Sequence, residues 1–282
     1  MPSFWKHFRV KELAFYKREW FARSSLTRGK VLDIPAGGGK DSKNLHELGY
    51  KVIPADLFPE MFEQKLTGVT CAKADMTERL PFDEGTFDYV LHSEGIEHLP
   101  DQFSFLEECA RVLKPGGKAV ITTPNLLSMR ARFAFTFTGN RAFKSFVDEI
   151  TSVWGYEGDR IYHGHAFLIN YFQLRYMLWH TGFRVKEVVG TRYSITSLLL
   201  MPFLPLVWWF THGAIRKAKK KNPNTDIYKE LTRDIFSKEM LLSSNLFVIA
   251  EKLSASERSG PVCVPHHAHK IEERLAKATD GS

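Results

Sequence analysis

Short apolar runs alternate with longer stretches of mixed polarity through the first half of the chain. Runs at 30–34, 51–55, 69–73, 87–91 and 118–123 have the length and β-branched content of buried strands. Between them the spacing predicts a helix over 40–48 stopped by Gly49, a short helix from Glu60, and a helix over 101–113. That last helix places Phe103, Leu106, Ala110 and Leu113 on one face, and Pro115-Gly116-Gly117 ends it. Such alternation predicts a parallel sheet with helices on both faces. Upstream, residues 4–22 read as one helix in which Phe4, Trp5, Phe8, Phe15, Tyr16 and Trp20 sit among basic residues. Downstream the pattern loosens. Helices are expected over 126–138 and 171–181, a loop-rich segment over 143–164, and strands over 183–189 and 245–251. The tail from 254 onward lacks a core pattern apart from a short helix near 271–276.

The first strand leads into Val31-Leu32-Asp33-Ile34-Pro35-Ala36-Gly37-Gly38-Gly39. An acid at the strand end is followed by a small-residue loop that lets backbone approach a ligand closely. Dinucleotide enzymes use a similar turn, but Asp33 stands where it would repel a phosphate and attract an ammonium group. A second strand ends in Asp56, placed to accept from two ribose hydroxyls. Asp75 follows the third.

These blocks resemble the class I S-adenosylmethionine (SAM) dependent methyltransferases, in particular the type 11 group. VLDIPAGGG, VIPADL, AKADM, LPFDEGTFDYVLHSEGIEHL and FLEECARVLKPGGKAVITTPN carry the likeness over residues 30–125. The resemblance implies an α/β fold: a Rossmann-like, seven-stranded, mostly parallel sheet with helices on both faces. Its last two strands, 183–189 and 245–251, would form an antiparallel edge enclosing an apolar insertion at about 194–222. By the same likeness SAM is the cofactor. Asp33, Gly37 and Gly39 would hold its methionine end, Asp56 the ribose, and Asp75 and Met76 would flank the adenine, with Pro35, Ala36 and Leu57 also binding the cofactor and Ser93 near the mouth. Pro35 departs from the family by replacing the first loop glycine, which restricts that residue to negative φ. The implied division is an N-terminal cap (1–29), a methyltransferase domain (30–253) and a tail (254–282).

Glu94-Gly95-Ile96-Glu97-His98 follows the fourth strand. If it begins a helix, Glu94, Glu97 and His98 share a face, where two carboxylates and an imidazole suit a divalent cation such as Mg²⁺. His165, in His163-Gly164-His165-Ala166-Phe167, offers a fourth ligand. The arrangement resembles the metal-dependent 2′-O-methyltransferases of small RNAs and, in its first half, the ubiquinone-pathway O-methyltransferases. Leu168 replaces an acid expected after the phenylalanine, and relatives without metal carry the same Glu-His-Leu. Hence His98 as general base, with Glu94 beside it, is the default catalytic assignment, and a Glu94, Glu97, His98 and His165 metal site is the alternative.

Charge and apolarity then narrow the acceptor. The 282-residue chain has a formal net charge of +7. Residues 1–30 carry eight Lys/Arg against Glu12 and Glu19, five more basic residues fall in 216–221, and the remainder is net acidic. Just before that second cluster, residues 198–210 (LLLMPFLPLVWWF) are apolar without interruption. A spanning helix needs about 20 such residues, and Pro202 and Pro205 argue against a straight helix. Insertion into one leaflet of an anionic membrane fits the pattern; a buried lid or a homodimer interface is the plainer alternative. Cys71, Cys109 and Cys263 are unclustered, as in a reducing compartment, and the first residues lack the apolar core of a secretory signal. The expected location is cytoplasmic, peripheral on the inner face of the cytoplasmic membrane.

The stretches TTPNLLSMRARFAFTFTG and HAFLINYFQLRYMLWHTGF, with the apolar insert, resemble methyltransferases encoded with bacterial surface-polysaccharide assembly. The likeness implies O-methylation of a sugar hydroxyl on a glycan or lipid-linked acceptor. A quinone, a phospholipid headgroup or another small molecule is the competing acceptor. RNA is less favoured, because no RNA module accompanies the site and the basic patches flank apolar surface. A non-catalytic SAM-binding protein is a separate class, which the intact acids and His98 disfavour.

Overall fold

The computed structural model describes residues 6–9, 12–24, 28–140, 153–154, 161–162, 165–221, 225–254 and 257. In chain order these form α1 (Lys6–Arg9), α2 (Leu13–Arg23), β1 (Lys30–Asp33), α3 (Lys40–Glu47), β2 (Lys51–Asp56), β3 (Ala72–Lys73), β4 (Phe87–Ser93), α4 (Gln102–Val112) and β5 (Leu113–Pro124). Then follow α5 (Met129–Thr138), β6 (Val153–Trp154), β7 (Ile161–Tyr162), α6 (Tyr171–His180), β8 (Phe183–Val188), α7 (Ile195–Leu199), α8 (Leu204–Lys221), α9 (Thr225–Ile235), α10 (Lys238–Leu242) and β9 (Asn245–Lys252). The chain divides into two compact units, residues 1–252 and 253–282. Of the second, only Leu253, Ser254 and Glu257 are described, with the Ser254 amide donating to the Glu257 carboxylate at 2.9 Å. Phe4, Trp5, Cys263, His163, the expected helix at 271–276 and most of 143–164 lie outside the described residues.

Seven strands form one sheet in the order β3-β2-β1-β4-β5-β9-β8. β1 to β5 run parallel, Val31 pairing with Val52 on one side and Tyr89 on the other, while β9 is antiparallel to both β5 and β8. The sheet is therefore the expected seven-stranded, mostly parallel one, with its antiparallel edge and the insertion between the last two strands.

The central strands are buried on both faces, which is why they read as continuous apolar runs. One face packs Leu32, Val90, Phe105, Leu106, Leu174 and Phe183 beneath α4 and α6. The other packs Val31, Tyr89 and Phe247 against Tyr16, Phe21 and Leu45 of α2 and α3.

Several elements differ from the expectation. The N-terminal helix is two pieces, broken where Glu12 takes an extended backbone ahead of α2. The third strand shortens to two residues because only Ala72 and Lys73 reach β2. The short helix from Glu60 is a single 3₁₀ turn, Pro59–Met61. Residues 114–117 are a bulge within β5: Phe87 pairs with Leu113, and the ladder resumes at Tyr89 with Lys118. α5 begins three residues late, where the Ser128 hydroxyl accepts from the Ala131 amide.

Pro202 does interrupt the apolar insert, in a 3₁₀ turn over Met201–Phe203. Pro205, contrary to expectation, is accommodated in an 18-residue helix. It sits in the first turn of α8, where no intrahelical partner is needed for its nitrogen. Among the described residues no helix is long and apolar enough to cross a membrane.

Candidate active site

Parallel topology gathers the sequence-predicted cofactor residues at one end of the sheet. Asp33 ends β1, Asp56 ends β2, Asp75 and Met76 follow β3, and Ser93 ends β4. β1 is flanked by β2 and β4, so the chain reverses its direction of winding there. At such a switch point the strand ends leave a crevice that suits a ligand.

The loop from β1 to α3 is held by its own backbone. The Ala36 amide donates to the Ala55 carbonyl at 3.0 Å, and Gly39 donates to the Ala36 carbonyl at 2.9 Å. Gly39 caps α3 with φ +81°, and a Cβ there would fall 2.4 Å from the Phe62 ring. Only glycine satisfies both constraints. Pro35 also has its reason in packing. A Cβ on Gly95 would lie 2.8 Å from Pro35 Cδ and 2.7 Å from His92 Cε1, so the missing Gly95 side chain makes room for the proline ring.

Asp56 is oriented from two sides. Its Oδ2 accepts from the Gly37 amide at 2.8 Å and its Oδ1 from the Phe58 amide at 3.0 Å. Each carboxylate oxygen keeps a second lone pair, which suits two ribose hydroxyls. Asp75 Oδ1 accepts from the Thr77 amide and hydroxyl at 2.8 and 2.7 Å. Met76 packs against the core beside it, and Leu57 is half-buried.

Asp33 is the most constrained acid. It is 1% exposed, its Oδ2 accepts from the Ser42 hydroxyl at 2.5 Å, and its Oδ1 is buried with no hydrogen-bond partner among the described residues. Burial, then the neighbouring Asp41 carboxylate, push its pKa up to about 7, against the pull of Ser42 and of Lys17. An unpartnered buried carboxylate oxygen beside a glycine loop suits a ligand ammonium group, so these residues fit SAM. Lys17, Asp41 and Ser42 were not distinguished by the sequence. Lys17 is one of eight basic residues in its region, and the pairing of Ser42 with Asp33 becomes visible only once α3 closes back on β1.

His92, also missed, is fully buried on β4. Its Nδ1 lies 2.6 Å from the Ile34 carbonyl, and desolvation lowers its pKa to about 4. It is a neutral structural imidazole that braces the end of β1.

Glu94, Glu97 and His98 do not share a helical face. Glu94 takes φ +51°, and only Ile96–His98 form a 3₁₀ turn. Glu94 Oε2 accepts from the Asn245 amide at 2.9 Å, which points it toward β9. Glu97 is fully buried, with Oε2 accepting from the Thr123 hydroxyl at 2.9 Å.

The structure does bring Glu97, His98 and His165 together, with one ligand-type atom from each lying within 4.8 Å of the other two. The His98 and His165 rings meet edge to face at 5.1 Å, and the Phe167 amide donates to the Glu97 carbonyl at 3.0 Å, anchoring the His165 loop. Glu94 is not a member of this group. The three residues are of the type that holds a divalent cation, and the fully buried Glu97 carboxylate favours a positive partner.

Comparison with known proteins agrees with the fold. Residues 32–121 match the family model described as a methyltransferase domain. A ubiquinone biosynthesis O-methyltransferase of Xanthomonas oryzae pv. oryzae is 36% identical over 125 residues, covering 42% of this chain and 52% of that one. One from Xylella fastidiosa is 29% identical over 179 residues, covering 61% and 68%. The chain thus spans about half the length of the Xanthomonas oryzae relative. Among solved structures, a SAM-dependent methyltransferase from Archaeoglobus fulgidus shares the fold, at 19% identity, a TM-score of 0.51, and 88% and 98% coverage. Residues 32–121 thus resemble a methyltransferase domain, and the seven-stranded sheet around them has the Rossmann-like fold of the SAM-dependent methyltransferase structures.

Proposed function

We propose that the protein transfers the methyl group of SAM to a hydroxyl of a lipid-bearing acceptor at an anionic membrane face, the first candidate being a sugar hydroxyl of a lipid-linked glycan. The observation that carries the reading is the grouping of Glu97, His98 and His165, the first two following within five residues of Ser93 at the end of β4. SAM supplies an electrophilic methyl on a sulfonium. Asp33, Asp56, the glycine loop and Asp75 bind and orient it. His98 takes the acceptor hydroxyl's proton as the oxygen attacks in line, and buried Glu97 with His165 steadies the imidazole. A divalent cation held by Glu97, His98 and His165 would serve instead by lowering the hydroxyl's pKa.

The membrane part of the proposal is supported by Leu199, Trp209 and Phe210, which are about 70% exposed, and by Arg216, Lys217, Lys219 and Lys220, exposed two turns further along α8. A second reading, a prenylated phenol of the quinone type, is favoured by the name shared by the Xanthomonas and Xylella relatives.

Incubation with methyl-labelled SAM and bacterial lipid extract tests both. Label released into water by mild acid marks a phosphate-linked sugar, whereas acid-stable label in the organic phase marks the phenol. His98→Ala should lower turnover by about 10²-fold or more while leaving SAM affinity within a few-fold. Loss of turnover on chelation, restored by Mg²⁺, would assign the three residues to a cation. No transfer to any fraction would overturn the enzymatic reading.

A further inference from the structure

Lys17 is a charged side chain of the N-terminal helix, yet it is only 4% exposed. Its ammonium group donates to Asp41 Oδ2 and to the Ser93 hydroxyl at the end of β4. The helix that carries it is tightly placed. Tyr16 and Phe21 on either side of it are buried in the core, and the Tyr50 hydroxyl donates to the Phe21 carbonyl at 2.9 Å. Lys40 pairs with Glu12 at 2.6 Å, Arg18 with Glu47 at 2.9 Å, and the Trp20 indole donates to Glu187 at 3.0 Å. Burying an ammonium group is costly without compensating partners, and the core gains nothing from a lysine that an apolar residue would not supply.

The charge inventory around Lys17 is uneven. Among the described residues, Asp33 and Asp41 bring two carboxylates against this one ammonium, and each keeps a buried oxygen, Oδ1, with no hydrogen-bond partner. Lys17 uses two of its three donors on Asp41 and Ser93. The cluster therefore offers acceptors for a second ammonium and one donor directed by a fixed cation. That is the complement of an amino-acid zwitterion.

Resting on the reading that this crevice binds SAM, we propose that Lys17 is the residue that recognises the α-carboxylate of the ligand's methionine end, while Asp33 and Asp41 take its α-ammonium. The N-terminal helix is then part of the cofactor site and selects ligands that carry an intact amino-acid end. Asp41, in the first turn of α3, serves twice: one oxygen holds Lys17 and the other faces the ligand.

The test compares two ligands that share the thioadenosine part. S-adenosylhomocysteine carries the zwitterion, and 5′-methylthioadenosine lacks it. Titration calorimetry on the full chain should show that Lys17→Met weakens S-adenosylhomocysteine by about tenfold or more and leaves 5′-methylthioadenosine within about twofold. Lys17→Arg should restore most of the difference, since guanidinium also reads a carboxylate. Equal loss of both ligands would make Lys17 a structural residue and overturn the assignment. Tighter binding of S-adenosylhomocysteine to Lys17→Met would also overturn it, by showing that the lysine occupies the ligand's own ammonium position. If wild type binds neither ligand, the SAM reading itself fails, and that outcome is distinct from a wild type that binds both without discrimination by Lys17.

Discussion

Asp33 shows what burying a single acid costs the fold. Its folded pKa is raised to about 7 from 3.8, chiefly by burial and then by Asp41. Between those values the folded protein keeps a proton that the unfolded chain releases, so the folded state binds more protons and stability falls as pH rises through the window. The stabilising contribution is complete below about pH 3.8 and gone above about pH 7. Asp33→Asn keeps an acceptor for the Ser42 hydroxyl and leaves Lys17 and Asp41 as a balanced pair. The variant should be more stable than wild type at pH 8, by roughly 1–4 kcal/mol, and should lack the wild-type decline between pH 4 and pH 7. It should also lose SAM affinity, because a neutral amide attracts an ammonium weakly. Urea denaturation across pH, paired with calorimetry, checks both. A variant less stable than wild type at pH 8 would mean that Asp33 is held as a well-paired carboxylate.

At the scale of elements, the parts legible in the sequence were those whose signal is local. The β1 loop, Asp56 and Asp75 follow strands that alternate with helices, and a parallel sheet brings strand ends together whatever the remaining details. Glu94 misled because the i, i+3, i+4 argument assumes a helix from the end of β4, whereas the chain turns there through φ +51° and a single 3₁₀ turn. Glu97, His98 and His165 meet although His165 lies about 65 residues downstream; periodicity does not reach that far, and it is the resemblance of the His165-Ala166-Phe167 stretch that puts His165 among the expected ligands. α9 and α10 were overlooked for a related reason: their burial depends on long-range partners. Tyr171 and Arg175 of α6 engage Asp234 of α9 at 2.5 and 3.1 Å. α10 is tied to β5 by Asn125, whose Nδ2 donates to the Met240 and Ser243 carbonyls at 2.7 and 2.9 Å.

That last contact yields an element-scale prediction. Asn125 is buried, and its Oδ1 also accepts from the Leu127 amide at 2.9 Å. Asn125→Ala strands two buried carbonyls and the part-buried Leu127 amide, and each buried group costs about 1–3 kcal/mol when left unsatisfied. After partial relaxation we expect a loss of roughly 2–5 kcal/mol in denaturant-measured stability. Asn125→Asp should cost at least as much, because a carboxylate oxygen would then face the two carbonyls. A stability within about 0.5 kcal/mol of wild type for Asn125→Ala would show that α10 is held by its apolar contacts alone.

Over the whole molecule, apolar and basic surface are arranged on the same inserted elements. The inner side of the insertion is seated: Leu200, Met201, Leu204 and Val207 pack on Met129, Tyr193, Leu241 and Leu242. Its outer side leaves Leu199, Leu206, Trp209 and Phe210 exposed, and ring contacts of Phe133 with Phe203 and Phe137 extend the apolar surface onto α5. Leu199, Leu206, Trp209 and Phe210 are individually 57–73% exposed, and soluble monomers rarely expose a large contiguous apolar patch. A lipid surface suits it because the following turns of α8 present Arg216, Lys217, Lys219 and Lys220, each able to add about 1 kcal/mol on an anionic bilayer. Deleting 198–210 outright would strip the inner residues from the core, so the sharper test changes only the outer ones. Leu206→Ser, Trp209→Ser and Phe210→Ser together should leave thermal stability near wild type. Sedimentation with vesicles of phosphatidylcholine and phosphatidylglycerol should show binding by wild type that weakens with salt and is largely lost in the triple variant. Neutral phosphatidylcholine vesicles should bind wild type much less, since the basic turns then have no counterpart. If wild type ignores the vesicles but is a dimer that the triple variant dissociates, the apolar face is a protein interface, and the acceptor must reach the site without a membrane to present it.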